Sequence, residues 1–188
     1  MPDLILASGS PRRKELLAKL QIPFTSVTSN ENEDFQHNLL PHEVVVELAL
    51  RKAKSVSKDY PEAVIIGADT IVVLEQDVLG KPVTREHAKQ MLERLSGKTH
   101  SVFTGVAIVF KEKIHCFYEK TDVTFWELTL KEIEHYLNSG ESFDKAGGYG
   151  IQGLGSLFVR SIQGDYFSVV GLPISRLNRE LHKMMLFK

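Results

Sequence analysis

A serine-rich turn that carries two arginines has the chemistry of an anion site. Residues 8–13 read Ser-Gly-Ser-Pro-Arg-Arg and follow the short apolar run 4–7. Ser10 is a good helix N-cap and Pro11 suits the first helical position, so a helix should begin here with its free N–H groups at the turn. Those groups, two hydroxyls and two guanidinium groups favour a phosphate, although a capped helix with solvated arginines explains the motif alone equally well. The candidate phosphate ligands are Ser8, Ser10, Arg12 and Arg13.

Asp69 interrupts the most apolar stretch of the chain, residues 63–74. A buried carboxylate is unfavourable unless it is paired, hydrogen-bonded or bound to a metal. Gly67 and Ala68 keep its surroundings open, so we predict that Asp69 binds a divalent cation or activates water. A bulge or strand end at Gly67 that leaves the carboxylate exposed is the structural alternative.

Three further charged residues are candidate metal or phosphate ligands only if they lie near the phosphate site. Glu33 lies in the acidic loop 29–38 and would help to hold Mg²⁺ if that loop folds over the phosphate site. Lys52 lies in a helical pattern and Lys81 follows a glycine turn, and either ammonium group could contact a phosphate as a point charge. Taken singly, each of the three is more typical of a solvated surface charge.

A glycine-rich segment, residues 148–153, matches G-x-G-x-x-G. A dinucleotide-binding loop needs a strand before this motif and a helix after it, whereas here a loop precedes it and a strand pattern follows. We therefore reject the dinucleotide interpretation. The glycines should instead let the backbone approach a flat ligand, with Gln152 able to donate and accept hydrogen bonds.

Composition narrows the function classes. The chain has 188 residues, of which 43% are hydrophobic and 25% charged, and this is typical of a globular protein with one sizeable core. The net charge of -1 argues against a nucleic-acid partner. Cys116 is the single cysteine, which excludes an intrachain disulfide and fits a reducing cytoplasm. No apolar run approaches the ~20 residues of a membrane helix, so we expect no membrane partner.

Alternating helix and strand patterns must position these residues. Strand patterns cover 4–7, 24–28, 63–74, 101–110, 114–126 and 156–162. Helical patterns cover 11–20, 41–57, a segment from Thr84 to near Gly97, 130–137 and 172–185. The strands on either side of residues 111–113 should form a long hairpin. The pattern predicts an α/β fold with a mixed sheet.

Taken together, these segments resemble the Maf family of nucleoside triphosphate pyrophosphatases over nearly the whole chain. The matching motifs are residues 8–13, 33, 52–53, 67–70, 80–82, 144–153 and 164–166. The resemblance implies an elongated mixed β-sheet with flanking helices around a central cleft, similar to inosine triphosphate pyrophosphatase-like folds. Residues 1–188 would form a single domain, which could have two lobes that flank the cleft.

The resemblance also implies an activity and the residues that perform it. A nucleoside triphosphate would be hydrolysed to the monophosphate and pyrophosphate with Mg²⁺ or Mn²⁺, in the cytoplasm, by a protein that often forms homodimers. Glu33 and Asp69 would hold the metal, and the proton acceptor falls on Asp69. The specificity positions fall on Arg12, Thr70 and Gln152. Ala-Asp-Thr at 68–70 and Tyr-Gly-Ile-Gln at 149–152 resemble the branch that acts on dTTP and UTP.

Two alternatives stay open at this point. The same pyrophosphatase chemistry could act on a purine or on a modified nucleotide, and a panel of substrates would decide this. The protein could also be a nucleotide-binding regulator of cell division or septation, which would bind a nucleotide tightly without turning it over.

Overall fold

The computed structural model describes residues 2–32, 34–35, 39–184 and 186, which form a seven-stranded mixed β-sheet flanked by helices. The strands are β1 (Leu4–Leu6), β2 (Phe24–Ser26), β3 (Val64–Leu74), β4 (Asp77–Leu79), β5 (Thr99–Phe110), β6 (Lys113–Phe125) and β7 (Val159–Gln163). The helices are α1 (Pro11–Ala18), α2 (Pro41–Ser57), α3 (Arg85–Leu95), α4 (Leu130–Asn138), α5 (Tyr166–Val170) and α6 (Ile174–Lys183). Two 3₁₀-helices cover Ala146–Gly148 and Leu154–Phe158.

The sheet is mixed in direction, as the sequence predicts. Its strand order is β2-β1-β3-β5-β6-β7, and β4 pairs with β3 outside this path. Strand β1 runs parallel to β2 and β3, whereas β4 is antiparallel to β3 and β7 is antiparallel to β6. Strands β5 and β6 are neighbours joined by only two residues, 111–112, which is possible only for an antiparallel hairpin.

The chain divides into two compact units. The first unit comprises Met1–Thr70, Thr104–Glu119 and Gly171–Lys188, and the second comprises Ile71–Phe103 and Lys120–Val170. Strands β3, β5 and β6 contribute residues to both units. Among the described residues, none of the helices combines the length and the apolar character that a membrane crossing requires. A single domain over residues 1–188 stays a prediction.

Helix α2 packs very closely on the sheet of the first unit because two strand glycines face it. A Cβ atom on Gly67 would lie 2.2 Å from the carbonyl oxygen of Ala49, and one on Gly105 would lie 2.3 Å from that of Val45. The buried face of α2 is apolar apart from Lys52, which shares it with neighbours such as Ala49 and Leu48. The ammonium group of Lys52 must therefore find a partner inside the protein.

The second unit has its own core, in which α3 and α4 pack on the sheet residues of that unit. Thr84 caps α3 by accepting a hydrogen bond from the His87 N–H, as the sequence predicts. The expected strand 156–162 is wrong at its start, because a 3₁₀-helix runs to Phe158 and β7 begins at Val159. Gly155 explains the difference, since a Cβ there would lie 2.6 Å from the carbonyl oxygen of Gly150, so the chain folds back on itself before the strand.

Candidate active site

The turn after β1 is held by hydrogen bonds of three serine hydroxyls, two from the turn itself and one from β2. The Ser10 hydroxyl caps α1 by accepting the Arg13 N–H at 3.5 Å, which confirms the predicted helix start. The Ser8 hydroxyl accepts the Ser10 N–H at 3.2 Å, and the Ser26 hydroxyl donates to the Ser8 carbonyl at 2.6 Å. These bonds fix the backbone that opens the helix, where the positive end of the helix dipole lies. Arg12 lies half-buried in the first turn of the same helix.

The Arg13 guanidinium group joins three segments of the first unit. Its Nε donates to the Gly171 carbonyl at 2.8 Å, its Nη2 to the Thr70 hydroxyl at 3.2 Å and its Nη1 to the Ser8 hydroxyl at 3.4 Å. Gly171 has a φ of +124°, and a Cβ there would lie 3.5 Å from Arg13 Nε. The guanidinium plane is therefore held in one orientation by the serine turn, strand β3 and Gly171, which lies between α5 and α6.

Asp69 and Lys52 form a buried ion pair in the first unit. Lys52 Nζ donates to Asp69 Oδ1 at 2.6 Å, and the two residues are 8% and 6% exposed. Asp69 lies inside β3, so the alternative of an exposed carboxylate at a bulge or strand end is wrong. Removing one partner of a buried pair typically destabilises a protein by about 3–5 kcal/mol, because the other charge is left uncompensated.

The Lys52–Asp69 pair and the contact of Arg13 with Thr70 involve adjacent residues of β3. Successive strand residues point to opposite faces of a sheet, so Asp69 reaches Lys52 on α2 while Thr70 reaches Arg13 on α1. The pairing of β1 with β3 ends at Leu6 and Ile66. Asp69 and Thr70 lie on the part of β3 that continues beyond this pairing. Ligands of open α/β sheets bind beyond the carboxyl ends of parallel strands. The position of this cluster therefore suits a binding site.

A divalent metal is compatible with this donor set. Asp69 supplies a hard carboxylate oxygen, whereas Glu33, the other predicted ligand, lies outside the described residues. Within the described part of the chain, no group of three His, Cys, Asp or Glu residues is arranged to hold a metal ion. Mg²⁺ is usually bound by one or two carboxylates together with substrate phosphates rather than by a complete protein cage. Asp69 fits a metal that arrives with a triphosphate.

The second unit carries Lys81 and Gln152, both of them exposed. The turn at Gly80 that precedes Lys81 is tied to the start of the glycine-rich segment, because the Gly80 carbonyl accepts the N–H of Gly147, the residue directly before that segment, at 3.0 Å. Gly147 has a φ of +70°, which a residue with a side chain rarely adopts. Residues 149–153 lie between the two 3₁₀-helices, which is not the strand and helix context of a dinucleotide-binding loop.

Sequence reasoning missed a buried aromatic cluster that includes Tyr149, which precedes Gln152 closely in the chain. His100 Nε2 lies 2.7 Å from the Tyr149 hydroxyl, and both rings pack edge-to-face against Phe125 at 4.9 Å and 4.7 Å. Burial lowers the pKa of His100 to about 4, although the charge of Asp122 acts in the opposite direction. Burial also raises the pKa of Tyr149 far above its usual range. A neutral pair thus anchors the segment that carries Gln152.

The sequence comparisons identify the family. The model of the Maf-like protein family matches residues 3–184. The chain belongs to the Maf family. A dTTP/UTP pyrophosphatase from Bacillus cereus is 58% identical over 181 residues, which cover 96% of this chain and 95% of that relative. A dTTP/UTP pyrophosphatase from Bacillus anthracis is 56% identical over the same shares of both chains.

One solved structure is a distant neighbour of this Maf chain. The crystal structure of protein VC0702 from Vibrio cholerae matches with a TM-score of 0.36 and 10% identity, over 74% of this chain and 71% of that chain. A superposition this loose does not establish a common fold.

The predicted Maf site residues fall into three groups. The first unit holds Ser8, Ser10, Arg12, Arg13, Lys52, Asp69 and Thr70. The second unit holds Lys81 and Gln152, and Glu33 lies outside the described residues. The Arg13 guanidinium group donates to Ser8 and to Thr70, and Lys52 donates to Asp69. Thr104 joins the first of these sets through the Thr70 hydroxyl, and no sequence signal marked it.

Proposed function

We propose that this Maf protein hydrolyses dTTP and UTP to the nucleoside monophosphate and pyrophosphate. The observation that carries the proposal is the buried Lys52–Asp69 pair, next in the chain to the contact between Thr70 and Arg13. The relatives named dTTP/UTP pyrophosphatases support the substrate, because they share more than half of their residues with this chain. Modified pyrimidine triphosphates fall within the same proposal.

Asp69 is the proton acceptor in the proposed reaction. A water oxygen attacks the α-phosphorus, the bond from that phosphorus to the bridging oxygen of the β-phosphate breaks, and pyrophosphate leaves. The Asp69 carboxylate takes the proton that the water loses. Lys52 holds Oδ1 of this carboxylate at 2.6 Å, so the group is oriented before the substrate arrives.

The phosphate chain needs compensation for its negative charge. We assign this role to the opening turn of α1 with Ser8, Ser10, Arg12 and Arg13, and to Lys52 and Lys81. A bound Mg²⁺ or Mn²⁺ would neutralise phosphate charge and polarise the phosphoryl oxygens, with Asp69 and Glu33 as the proposed ligands. The homodimer and the cytoplasmic location expected for the family stay predictions.

Selectivity for the base is assigned to Arg12, Thr70 and Gln152. Uracil-type bases offer two carbonyl acceptors and one N–H donor, which suit the hydroxyl of Thr70 and the amide of Gln152. A wrong base would leave these groups unpaired, at about 1–3 kcal/mol each, or roughly tenfold to a hundredfold in kcat/KM.

The test is Asp69→Asn, which keeps the shape of the side chain and an oxygen for Lys52 but removes the proton acceptor. We expect kcat for dTTP to fall by about 10²–10⁴, the usual contribution of a general base. The measurement is pyrophosphate release with Mg²⁺, and thermal unfolding checks that the variant folds.

Asp77→Asn is the matched control. Asp77 is also paired to a cation, Arg94, but it lies exposed in the second unit, so its loss should leave kcat unchanged. Near wild-type turnover of Asp69→Asn would remove Asp69 from the mechanism. Tight dTTP binding by the wild-type protein without pyrophosphate release would favour the regulator, and faster release from a purine triphosphate would favour the other substrate class.

A further inference from the structure

We propose that Thr104 is a positioning residue that aims the Thr70 hydroxyl at an acceptor oxygen of the substrate. The proposal rests on the proposed function. Thr104 lies on β5 in the first unit, is 0% exposed, and its Oγ1 lies 2.8 Å from Thr70 Oγ1. Thr70 Oγ1 also accepts from Arg13 Nη2 at 3.2 Å. Three side chains from β5, β3 and α1 thus meet at one oxygen atom.

The hydrogen-bonding capacity of that oxygen decides what Thr70 can do. A hydroxyl has one proton and two lone pairs, and a guanidinium group can only donate. Arg13 therefore occupies one lone pair of Thr70 Oγ1. If Thr104 donates, it occupies the second lone pair and the Thr70 proton is directed to a third partner. If Thr70 donates its proton to Thr104, only the remaining lone pair of Thr70 Oγ1 is left for the substrate, and it can only accept a hydrogen bond.

The chemistry of the substrate favours the arrangement in which Thr104 donates to Thr70. Phosphate oxygens and the carbonyl oxygens of uracil and thymine accept hydrogen bonds and have no proton to donate. Thr70 can bind either kind of oxygen only if it keeps its proton for the substrate. Either hydroxyl could donate in the 2.8 Å contact, and the proposal makes Thr104 the donor and Thr70 Oγ1 the acceptor.

Close packing holds this arrangement in place. A Cβ on Gly171 would lie 3.6 Å from Thr70 Oγ1 and 3.5 Å from Arg13 Nε, so the backbone there lies against both groups. Thr104 is fully buried on β5, and Thr70 is partly buried in β3. A hydroxyl that is held on several sides keeps its direction before the substrate binds, which is what precise recognition requires.

The experiment compares Thr104→Val with Thr104→Ser. Valine keeps the shape and the β-branched form that a strand favours but has no hydroxyl, whereas serine keeps the hydroxyl. We expect Thr104→Val to lower kcat/KM for dTTP roughly tenfold, the usual consequence of leaving a buried polar group without its partner. Thr104→Ser should stay within about twofold of wild type, because the donor is restored.

Thr99→Val is the matched control for the loss of a threonine pair. Thr99 lies on the same strand, and its hydroxyl is also 2.8 Å from that of a neighbouring threonine, Thr124, but the pair is exposed and belongs to the second unit. This variant should leave kcat/KM unchanged. Thermal unfolding of all three variants separates a loss of folded protein from a loss of function.

The nucleotide profile distinguishes the two acceptor oxygens. If Thr70 donates to O4 of the base, the carbonyl that cytosine lacks, Thr104→Val loses activity on dTTP and much of its preference over dCTP. If Thr70 donates to a phosphate oxygen, activity falls by the same factor on every nucleotide. Both results support the proposal.

Two outcomes would overturn the Thr104 proposal and leave the function intact. One is wild-type kcat/KM for Thr104→Val on all nucleotides while Asp69→Asn is inactive. The other is an equal loss in Thr104→Ser and Thr104→Val, which would show that the hydroxyl does not matter. If the wild-type protein releases no pyrophosphate from any nucleotide, the proposed function fails and the Thr104 proposal falls with it.

Discussion

Replacing His100 with phenylalanine should remove an acid sensitivity from the folded protein. His100 is 2% exposed, and burial lowers its pKa from 6.5 to about 4. The unfolded chain therefore takes up a proton as the pH falls through 6.5, whereas the folded protein does so only near pH 4. The free energy of unfolding consequently decreases between these two values and is unaffected by His100 above them. A shift of this size corresponds to roughly 3 kcal/mol in total.

The prediction is sharper because His100→Phe should lower the free energy of unfolding at neutral pH, whereas at acidic pH it should make the protein more stable than wild type. Phenylalanine keeps a ring beside Phe125 and Tyr149, which lie 4.9 Å and 5.4 Å away, but it loses the 2.7 Å hydrogen bond to the Tyr149 hydroxyl. We expect His100→Phe to be less stable than wild type at neutral pH by about 1–3 kcal/mol. Because it lacks the proton-linked loss, its stability curve should cross that of the wild-type protein at about pH 5.

The assay is urea unfolding at several pH values between about 7.5 and 4.5. Trp126 is the single tryptophan, is 53% exposed and lies in the same unit as His100, so its fluorescence reports on the second unit. Exposed His135 on α4 provides the control, since His135→Gln should keep the wild-type pH dependence. Parallel curves for His100→Phe and the wild-type protein would refute the assignment of this acid sensitivity to His100.

Two further substitutions test the scaffold and the selectivity. Gly67→Ala would place a Cβ 2.2 Å from the Ala49 carbonyl oxygen, so α2 must move, and we expect thermal unfolding to show a loss of about 3 kcal/mol or more. Gly80→Ala, which meets nothing within 4 Å, should retain the wild-type melting temperature. Gln152→Ala should reduce the preference for dTTP over dCTP roughly tenfold, with a smaller change in kcat. An unchanged preference, measured as pyrophosphate release from each nucleotide, would show that Gln152 does not contact the base.

Much of the fold could be predicted because local signals and burial agree. Helix α2 has the predicted bounds, 41–57, since its apolar residues recur with the helical period and Pro41 marks its start. Ser10 with Pro11 and the cap at Thr84 set the starts of α1 and α3 for the same local reasons. Helix α5 was not predicted: it covers only five residues, and the carboxylate of Asp165 caps it through the Phe167 and Ser168 N–H groups.

Side-chain partners at the site could not be predicted to the same extent. The sequence marks Asp69 because a charge is rare in an apolar run, but it does not show that Lys52 rather than another lysine lies beside it. Thr104 gave no signal, since threonine is common in strands, and the sequence around His100 contains no motif that marks it. Their partners, Thr70 and Tyr149, are 34 and 49 residues away along the chain, so only the register of the sheet and the path of the loop bring them together.

The position of Gly67 explains how the Lys52–Asp69 ion pair forms and bears on its role. Gly67 and Asp69 lie two residues apart on one face of β3, and Lys52 lies between Ala49 and Ala53, the residues of α2 that a Cβ on Gly67 would meet. The close approach of helix and strand therefore sets the 2.6 Å distance between the ammonium group and the carboxylate. A buried ion pair is seldom more stable than apolar residues of the same volume. An arrangement of small residues that brings these two charges together in the core therefore supports the role that we propose for Asp69.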